Sequence, residues 1–565
     1  RLSVDNLSLH MKHSNISVSG NLDSIYQLIH ASNPSIKSKI HIHSDKISIN
    51  DWFPELTNEE VSNFDADLII SSTLSDLTSQ GDLPKGAIGI KNLSFDLKNF
   101  PHHFENVSVT AEVDQNNMRL SLDAGQIDQS DFTFKGFLKD YKHIFNEKSK
   151  DTSALEFEFE SDKLELNSLF TYGGTNHLPV EYQNEEINRL KIHGMTYANH
   201  LRSGDEFHIY LDQLEGKLKS HALQLKDFKG DVVYKNNTLE IRDFHGVLGK
   251  TNFTISGNYE LDEDSKKRSK LSFKAKGIDV DELIGMTNQL PIKSKESSTK
   301  STSKQLEDFD FDALTIDIDI KHLNYHRQML NSIKGRIRVS ENRKIQIRKL
   351  SFLAAGGMVE LSGNFDASKP NAIQLQSKIK VKDVDLDKLL FKFDNFGQQF
   401  VLSENISGVF TGVIDGNIQL KNDLTPILDQ SELNLNMSIV DGNIRKAEFL
   451  NVLSDYFEKE ELQNLQFDTL KNQFTLKKGI LEIPEMKIRT NLGKLFVSGS
   501  QELTGKTNMN VKVPWQLIAD AAWYKLFDKS RKRKMEKKQD LKYLDISIVK
   551  DSLQTKVSLN KVISN

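Results

Sequence analysis

The stretch from Gln430 to Val513 decides the fold and reads QSELNLNMSIVDGNIRKAEFLNVLSDYFEKEELQNLQFDTLKNQFTLKKGILEIPEMKIRTNLGKLFVSGSQELTGKTNMNVKV. Apolar and polar residues alternate in most of its runs, a period of two that is typical of half-buried strands. The pair Asp441-Gly442 predicts a turn, residues 446–464 predict a helix, and the tip at Lys477–Gly479 predicts a hairpin. The stretch is therefore expected to be mainly β.

Two patterns from this stretch recur upstream. The first is a strand that ends apolar-x-apolar-x-Gly, found as ISVSG at 16–20, FTFKG at 132–136, FTISG at 253–257, VELSG at 359–363 and LFVSG at 495–499. The second is a strand that breaks into a short helix, found as DKISINDWF at 45–53, DKLELNSLF at 162–170, GIDVDELI at 277–284 and DVDLDKLL at 383–390. Repeated units that cannot close a core alone stack into an elongated body.

The predicted fold class is mainly β: an elongated, repetitive antiparallel sheet that forms a curved groove, with a few short helices. Hairpin tips are expected at DQNN (114–117), at Asn236-Asn237 and at SENR (340–343). The predicted divisions are an N-terminal β segment at 1–53 that ends a repeat, β repeats at 54–170, 171–290 and 309–429, a flexible linker or surface loop at 291–308, the region 430–513, and a last segment at 514–565 with an amphipathic helix, a basic stretch and terminal strands.

Composition excludes several classes of protein. The chain has 565 residues, of which 37% are hydrophobic and 27% charged, so it is polar but too rich in apolar residues to be disordered. Its net charge of −5 gives no general attraction to nucleic acid, and the absence of Cys removes thiolate and disulfide chemistry. No apolar run reaches about 18 residues, so we expect no membrane-spanning helix. Because the chain starts at Arg1 in strand-like sequence, we interpret it as trimmed, with a signal or anchor segment missing.

No catalytic group of residues stands out. The segment GVLGKT ends in Gly249-Lys250-Thr251, but Phe244 stands where a phosphate-binding loop needs its first glycine. The pairs His41 and His43, and His102 and His103, are interpreted as exposed strand histidines, since neither Cys nor a carboxylate-rich ligand spacing accompanies them. DVDLD at 383–387 lacks the glycine and the downstream glutamate of a calcium loop. We therefore expect no enzyme, no metal and no cofactor.

The sequence does predict a continuous apolar face. The recurring glycine pattern places ten apolar residues at equivalent inward positions. On the order of 30 strands spaced ~4.8 Å apart would extend this face to roughly 140 Å, the length that a conduit for acyl chains needs. Two structures fit the pattern: a packed core between two layers, and an open trough, which the scarcity of helices to cover the sheet favours. The candidate groove residues are Ile16, Val18, Phe132, Phe134, Phe253, Ile255, Val359, Leu361, Leu495 and Val497.

The segment VPWQLIADAAWYKLFDKSRKRKMEKKQD at 513–540 carries aromatic residues followed by a basic cluster. A helix that starts after Pro514 would be amphipathic, and such a helix next to a basic cluster is attracted to an anionic membrane surface. A helix that caps the β core and leads into a solvated loop fits the segment equally well. The candidate membrane-surface residues are Trp515, Trp523, Phe527, Arg531, Lys532, Arg533 and Lys534.

Residues 430–513 resemble the C-terminal region of the AsmA family of bacterial envelope proteins. The resemblance rests on DGNI at 441–444, the segment with Phe449, Leu450 and Leu453, the hairpin LQFDTLKNQFTLKKGILEI, and GKLFVSGSQEL, and the upstream patterns are similar to repeats of the same family. It implies a periplasmic β-groove body, an inner-membrane anchor at the N terminus and a role in phospholipid traffic or outer-membrane homeostasis. The anchor is absent from this sequence.

Two hypotheses for the function come from different classes. The first is a protein that binds or conducts phospholipids or other acyl-chain lipids along the apolar groove, with a membrane surface and other envelope proteins as partners. The second is a non-enzymatic scaffold or accessory subunit of an envelope assembly for secretion or outer-membrane protein insertion, which would recruit a client strand at an exposed sheet edge. Alternation cannot separate an empty groove from a filled sandwich, so the exposure of the inward face is the discriminating observation.

Overall fold

The structure is a computed structural model in which the secondary structure is almost entirely β. It describes the chain except for residues 24, 49–50, 52–59, 79–82, 98–99, 115, 146–152, 168–170, 173–174, 177, 179–182, 198–205, 218, 220–222, 262–267, 284–312, 326–327, 341–342, 370–371, 393–394, 396–401, 423, 446–463, 492, 516–541, 552–554 and 565. Contacts divide the chain into two compact units, unit 1 at Arg1–Ser269 and unit 2 at Lys270–Asn565. This confirms the predicted mainly-β class.

Unit 1 contains an open antiparallel sheet in which most strands pair with the next strand along the chain. A separate short hairpin is formed by Thr171–Tyr172 (β11) and Thr175–Asn176 (β12). The strands of the sheet are Leu2–His10 (β1), Asn15–Asp23 (β2), Ser35–Ser48 (β3), Glu60–Thr73 (β4), Gly86–Leu97 (β5), Phe100–Val113 (β6), Met118–Ile127 (β7), Ser130–Asp131 (β8), Thr133–Lys139 (β9), Ala154–Glu165 (β10), Glu186–Tyr197 (β13), Glu206–Lys217 (β14), Gln224–Lys235 (β15), Thr238–Leu248 (β16) and Thr251–Glu260 (β17). Within this sheet β7 pairs with both β8 and β9, and β10 pairs with β13.

Unit 2 is built in the same way, and its longest strand has 20 residues. Its strands are Lys270–Asp279 (β18), Leu314–Tyr325 (β19), Gln328–Ser340 (β20), Lys344–Ala354 (β21), Gly357–Asp366 (β22), Ile373–Asp385 (β23), Ile406–Leu420 (β24), Pro426–Arg445 (β25), Asn464–Lys477 (β26), Ile480–Thr490 (β27), Gly493–Glu502 (β28), Thr507–Pro514 (β29), Lys542–Lys550 (β30) and Thr555–Ser564 (β31). One pair of strands departs from the predicted antiparallel order: β18 and β19 run parallel. A parallel pair needs a long crossover, and residues 280–313 provide the length.

The helices of the described residues are few and short. They are Ile25–His30 (α1), Leu74–Thr78 (α2), Lys142–Phe145 (α3), Val280–Leu283 (α4) and Leu386–Lys392 (α5). Both α4 and α5 follow a strand directly, as the second recurring pattern predicts. None of the described helices is long and apolar enough to cross a membrane.

The predicted hairpin tips are confirmed. Val113 pairs with Met118 around the tip at 114–117, Ser340 pairs with Lys344, and Lys477 pairs with Ile480. The tip between β15 and β16 places Asn236 and Asn237 at φ angles of 49° and 58°, a left-handed conformation that asparagine adopts more readily than most residues.

The recurring glycine does not end its strand, so this prediction was wrong. Each of the five glycines is followed by three more strand residues, at 21–23, 137–139, 258–260, 364–366 and 500–502. At Gly499, φ is 142° and an added Cβ would lie 2.1 Å from the carbonyl oxygen of Asn508 on the next strand. The glycine therefore permits a close backbone approach in the middle of the strand, which the sequence pattern alone presents as a stop.

The predicted Asp441-Gly442 turn was also wrong. Both residues lie inside β25, where the register with β24 shifts by one residue between Ser407 and Val409. Asp441 has a φ angle of 52°, so the pair makes a bulge within a continuous strand. The predicted helices at 446–464 and 514–528 and the predicted linker at 291–308 lie almost wholly outside the described residues.

Candidate functional site

The first feature of the site is an unbroken row of apolar side chains across unit 1. The strand pairings bring one apolar residue from each of eleven strands into register, and we call this set the first row. Since cross-strand neighbours in register point to the same face, these side chains share one face of the sheet. The first row consists of Leu7, Val18, Ile42, Ala66, Ile90, Val109, Leu122, Phe134, Phe159, Ile192 and Leu211.

A second row runs beside the first on the same face and extends to β17. It combines apolar side chains with glycines: Val4, Gly20, Ile40, Leu68, Ile88, Ala111, Leu120, Gly136, Phe157, Gly194, Ile209, Val232, Ile241 and Gly257. The two rows together make a continuous strip without a charged residue, which we call the apolar face of unit 1. This strip results from period-two alternation kept in phase across the strands.

Phenylalanine rings lie over glycines on this face. An added Cβ on Gly194 would lie 2.5 Å from the Phe157 ring, and one on Gly136 would lie 3.1 Å from the Phe134 ring. The rings of Phe134 and Phe157 are themselves stacked, with centroids 6.4 Å apart. Glycine thus gives each ring room to lie against the backbone, so aromatic surface covers the sheet where a side chain is missing.

The apolar face of unit 1 is only partly covered. In the first row, Ala66 is buried and Leu7 is exposed, while the other nine members are half-buried. In the second row, Ile209 is exposed. Neighbouring side chains of the same sheet account for partial burial, whereas a second layer would bury these residues completely. Within the described residues of unit 1, the face is therefore a surface that can accept an apolar ligand.

The opposite face of unit 1 is polar and carries ion pairs between neighbouring strands. Lys191 Nζ lies 3.0 Å from Glu158 Oε1 and also contacts Glu160. The hydrogen bonds to Glu160 and Glu158 raise the pKa of Lys191, and the hydrogen bond from Lys191 lowers the pKa of Glu158. His103 Nδ1 lies 2.8 Å from Asp96 Oδ1, and this hydrogen bond raises the pKa of His103. The sheet is thus amphipathic, with charge on one face and hydrocarbon on the other.

In unit 2 a comparable row crosses nine strands. It consists of Phe273, Ile318, Gly335, Leu350, Leu361, Ile379, Ile414, Leu435 and Phe474. Here the neighbouring positions form packed clusters, the largest of which runs from Ala355 to Ile548. Val511 and Ile546, in register on β29 and β30, are 2% and 0% exposed. Eight of the nine members of this row are half-buried, as in unit 1, and Phe474 is buried. The apolar face of unit 2 therefore combines a half-buried row with packed clusters beside it.

The structure separates the ten predicted groove residues into two sets. Val18 and Phe134 belong to the first row of unit 1, and Leu361 belongs to the row of unit 2. The half-buried set is Val18, Phe132, Phe134, Phe253, Ile255 and Leu361. The buried set is Ile16, Val359, Leu495 and Val497, of which the last three lie in the large cluster of unit 2. These four side chains are therefore inaccessible on the described surface of the sheet.

The glycine pattern missed most of the first row. Ile42, Ile90, Val109 and Leu122 lie on strands that carry no apolar-x-apolar-x-Gly pattern. Ile192 lies in LKIHG at 190–194, a copy of the pattern outside the five that were counted. The signal that could have found them is the phase of the alternation in each of these strands, once the hairpin tips fix which residues are paired.

The predicted membrane-surface residues are mostly outside the described part of the chain. Trp515 directly follows β29 and is 41% exposed. Trp523, Phe527, Arg531, Lys532, Arg533 and Lys534 lie outside the described residues.

The candidate ligand-binding motifs are part of the sheet. Gly249 and Lys250 form the two-residue tip between Leu248 and Thr251, so GVLGKT is a hairpin. The side chains of His41, His43 and His103 are exposed as predicted, but that of His102 is only 8% exposed and bonds Asp128, which corrects the prediction. Across the residues that the structure describes, no group of three or more His, Cys, Asp or Glu could hold a metal ion.

A depression of 680 Å³ lies on the polar face of unit 1. It is lined by side chains of both charge signs, including Arg119, Lys135, Glu112 and Glu156. Arg119 lies 5.3 Å from the centroid of the Phe137 ring. Leu120, Gly136, Phe157 and Gly194 of the second row also line it, but its charges of both signs distinguish this depression from the apolar face.

These features define the class: a mainly-β protein with an amphipathic sheet whose apolar face is accessible in unit 1 and combines a half-buried row with packed clusters in unit 2. Comparisons of the chain with protein-family models, with curated proteins and with solved structures give no match.

Proposed function

We propose that the protein binds acyl chains of phospholipids or related lipids along the apolar face of unit 1, as a non-enzymatic lipid carrier or conduit. The observation that carries the proposal is the first row, in which eleven strands contribute apolar side chains in register and nine of these side chains are half-buried. A strip of this kind is far more extended than the scattered apolar residues of an ordinary surface.

The mechanism is passive. Acyl chains lie on the strip while the head groups stay in water, and each CH₂ group that leaves water contributes about 0.8 kcal/mol. Successive positions along the strip are chemically alike, so a lipid can shift from one strand to the next without crossing a charged side chain. No cofactor and no catalytic step are part of the proposal.

The resemblance to the AsmA family supports a setting for this activity. We propose a periplasmic protein, held at the inner membrane by an N-terminal segment, that serves phospholipid homeostasis of the outer membrane. This setting is a separate proposal from lipid binding, and fractionation of the cell envelope tests it.

A matched pair of variants on β6 tests lipid binding. Val109 lies in the first row, whereas its neighbour Thr110 points to the polar face, and both are half-buried. We expect Val109→Asp to fold and to lose lipid, because a carboxylate interrupts the strip. Thr110→Asp adds the same charge on the other face and should retain lipid. The measurement is native mass spectrometry with lipid extraction on protein purified in mild detergent.

A scaffold in an envelope assembly is the competing function. The observation that favours it is the outer edge of β31, which has a paired strand only on its β30 side among the described residues. Such an edge can recruit a client strand. Lipid-free wild-type protein that copurifies with a stoichiometric protein partner, in amounts unaffected by Val109→Asp, would replace the lipid proposal with the scaffold.

A further inference from the structure

Unit 2 carries a concentration of positive charge that the whole chain does not share. Residues 313–385, which include β19 to β23, contain 13 Lys and Arg against 7 Asp and Glu, a net charge of +6. The whole chain has a net charge of −5. Such a local excess of one sign creates a field that attracts a partner of opposite charge.

The excess lies on the polar face of the sheet. On β23, Lys378, Lys380 and Lys382 alternate with the buried or half-buried Ile379 and Val381, and all three lysines are exposed. Their register partners on β22 are Ser362, Glu360 and Met358. The three ammonium groups therefore project from one strand on the same side.

Ion pairs neutralise only part of this face. Lys349 Nζ lies 2.8 Å from Glu360 Oε1, and Arg336 bonds both oxygens of Asp317. The three β23 lysines and Arg338 have no ion-pair partner within the described part of the chain. Two carboxylates lie in register with these lysines. Glu360, opposite Lys380 on β22, is engaged by Lys349, and Asp415, opposite Lys378 on β24, forms no ion pair with that lysine. Lys380 and Lys382 therefore keep most of their charge for an external partner, and Asp415 offsets part of the charge of Lys378.

Exposed apolar side chains stand at one end of this basic face. Met358 pairs in register with Lys382 on one side and with Leu353 on the other, and Met358 and Leu353 are 41% and 45% exposed. At the same end, α5 follows β23 and packs Leu386 and Leu390 into the core, while Phe391 is 72% exposed. The turn of β21 and β22 approaches the start of α5, since Asp385 N donates to Ala355 O at 2.9 Å.

We propose that this basic face, defined by Arg338, Lys378, Lys380 and Lys382 with Leu353, Met358 and Phe391 at its end, docks on an anionic lipid bilayer. Lysine is depleted in the cores of protein–protein interfaces, whereas clusters of lysine beside a few exposed apolar side chains are typical of peripheral membrane contacts. The proposal concerns the polar face of unit 2 and does not rest on lipid binding by unit 1.

Vesicle flotation of the full chain tests the proposal, with phosphatidylcholine vesicles and with vesicles that contain about one third phosphatidylglycerol. We expect binding to the anionic vesicles only, and weaker binding as salt rises. Each lysine at a membrane surface strengthens binding about fivefold, so K378Q/K380Q/K382Q should weaken it on the order of 100-fold. Phe391→Ser should weaken it about tenfold, because the ring no longer enters the interface.

Two controls make the result specific. K217Q/K226Q/K229Q removes the same charge from exposed lysines of unit 1 and should leave flotation unchanged. R531Q/K532Q/R533Q/K534Q separates any contribution of the C-terminal basic segment. Equal flotation with both vesicle types, or anionic binding that survives K378Q/K380Q/K382Q, would overturn the proposal; in the second case an acidic protein is the partner to seek for the basic face. The lipid content of the purified protein, which tests the apolar face of unit 1, is a separate readout.

Discussion

The two units bury their apolar faces to different extents although both alternate with a period of two. Among the described residues, unit 1 has 10 buried apolar side chains and unit 2 has 33. The three packed hydrophobic clusters all lie in unit 2. The in-register rows of both units are mostly half-buried, and the difference lies in the packed clusters beside the row of unit 2.

Alternation therefore specifies which face of a sheet is apolar, but it does not specify what covers that face. Val109 on β6 lies between Ile90 and Leu122, and Val511 on β29 lies between Val497 and Ile546. The cross-strand neighbours are of the same kind, yet Val109 is half-buried and Val511 is 2% exposed. The same local pattern therefore gives a half-buried surface residue in one unit and a buried core residue in the other.

The largest expected effect comes from a charge placed at these two valines. Val511→Asp should unfold unit 2, because an unpaired carboxylate in a packed cluster costs at least about 4 kcal/mol. Val109→Asp should cost about 1 to 2 kcal/mol, because its carboxylate can reach water. Thermal unfolding and limited proteolysis of the two variants check the difference. A folded Val511→Asp protein with wild-type melting behaviour would show that the cluster is not a core.

Truncation of an isoleucine to alanine should show the same contrast between the units with a smaller loss of stability. Ile546 is fully buried in unit 2, so Ile546→Ala should lower the free energy of unfolding by about 2 to 5 kcal/mol, the range for a side chain removed from a packed core. Ile90 is half-buried in unit 1, so Ile90→Ala should lower the free energy of unfolding by about 1 kcal/mol or less, since water already contacts part of the side chain. Denaturant unfolding followed by fluorescence or circular dichroism measures both losses. Equal losses at the two sites would mean that the units are packed alike.

Much of the fold could be predicted from the sequence because turns and alternation are local signals. Asn236-Asn237 and Lys477–Gly479 mark hairpin tips that the register confirms. Tips and alternation together fix which residues face each other, so the apolar face follows from the sequence. Glycine was misread for a physical reason: Gly499 and its equivalents allow another strand to approach closely within a strand, and the sequence does not distinguish this role from a strand end.

Other features depend on contacts that no local signal carries. The parallel pairing of β18 with β19 is set by how the chain returns after a long crossover. Burial of Val359, Leu495 and Val497 is set by packing within unit 2, so their pattern matches that of accessible residues in unit 1. The burial of His102 likewise depends on neighbours outside its own strand pattern. The position of the candidate surface therefore follows from the sequence, whereas its accessibility depends on packing between strands that are distant in the chain.

The glycines offer a third test, with an intermediate effect. Gly499→Ala in unit 2 should cost about 1 to 3 kcal/mol, because Ala is strained at a φ angle of 142° and its Cβ would meet the Asn508 carbonyl. Gly89→Ala in unit 1 is the control, since an added Cβ there meets nothing within 4 Å and should change stability by less than about 0.5 kcal/mol. Melting temperatures check both. A neutral Gly499→Ala would contradict the close approach of β28 and β29.

The smallest expected effect is a difference in the pH dependence of stability between two ion pairs, one on the polar face of each unit. Asp96 raises the folded pKa of His103 in unit 1, so this pair stabilises the protein below the unfolded histidine pKa of about 6.5, and the contribution is lost as pH rises through the folded value. Arg336 lowers the folded pKa of Asp317 in unit 2, so that pair stabilises above the unfolded aspartate pKa of about 3.9, and the contribution is lost as pH falls through the folded value. The side chains of His103 and Asp317 are 43% and 32% exposed, so water screens both pairs and each effect should be at most about 0.5 kcal/mol. Both effects can be measured from the free energy of unfolding of His103→Gln and Asp317→Asn relative to wild type between pH 3 and pH 8. The stability of His103→Gln should differ from that of wild type near pH 5.5 and match it near pH 8. The stability of Asp317→Asn should differ from that of wild type near pH 7 and approach it near pH 3. The reverse order would mean that the ion pairs of the two faces do not form as the geometry places them.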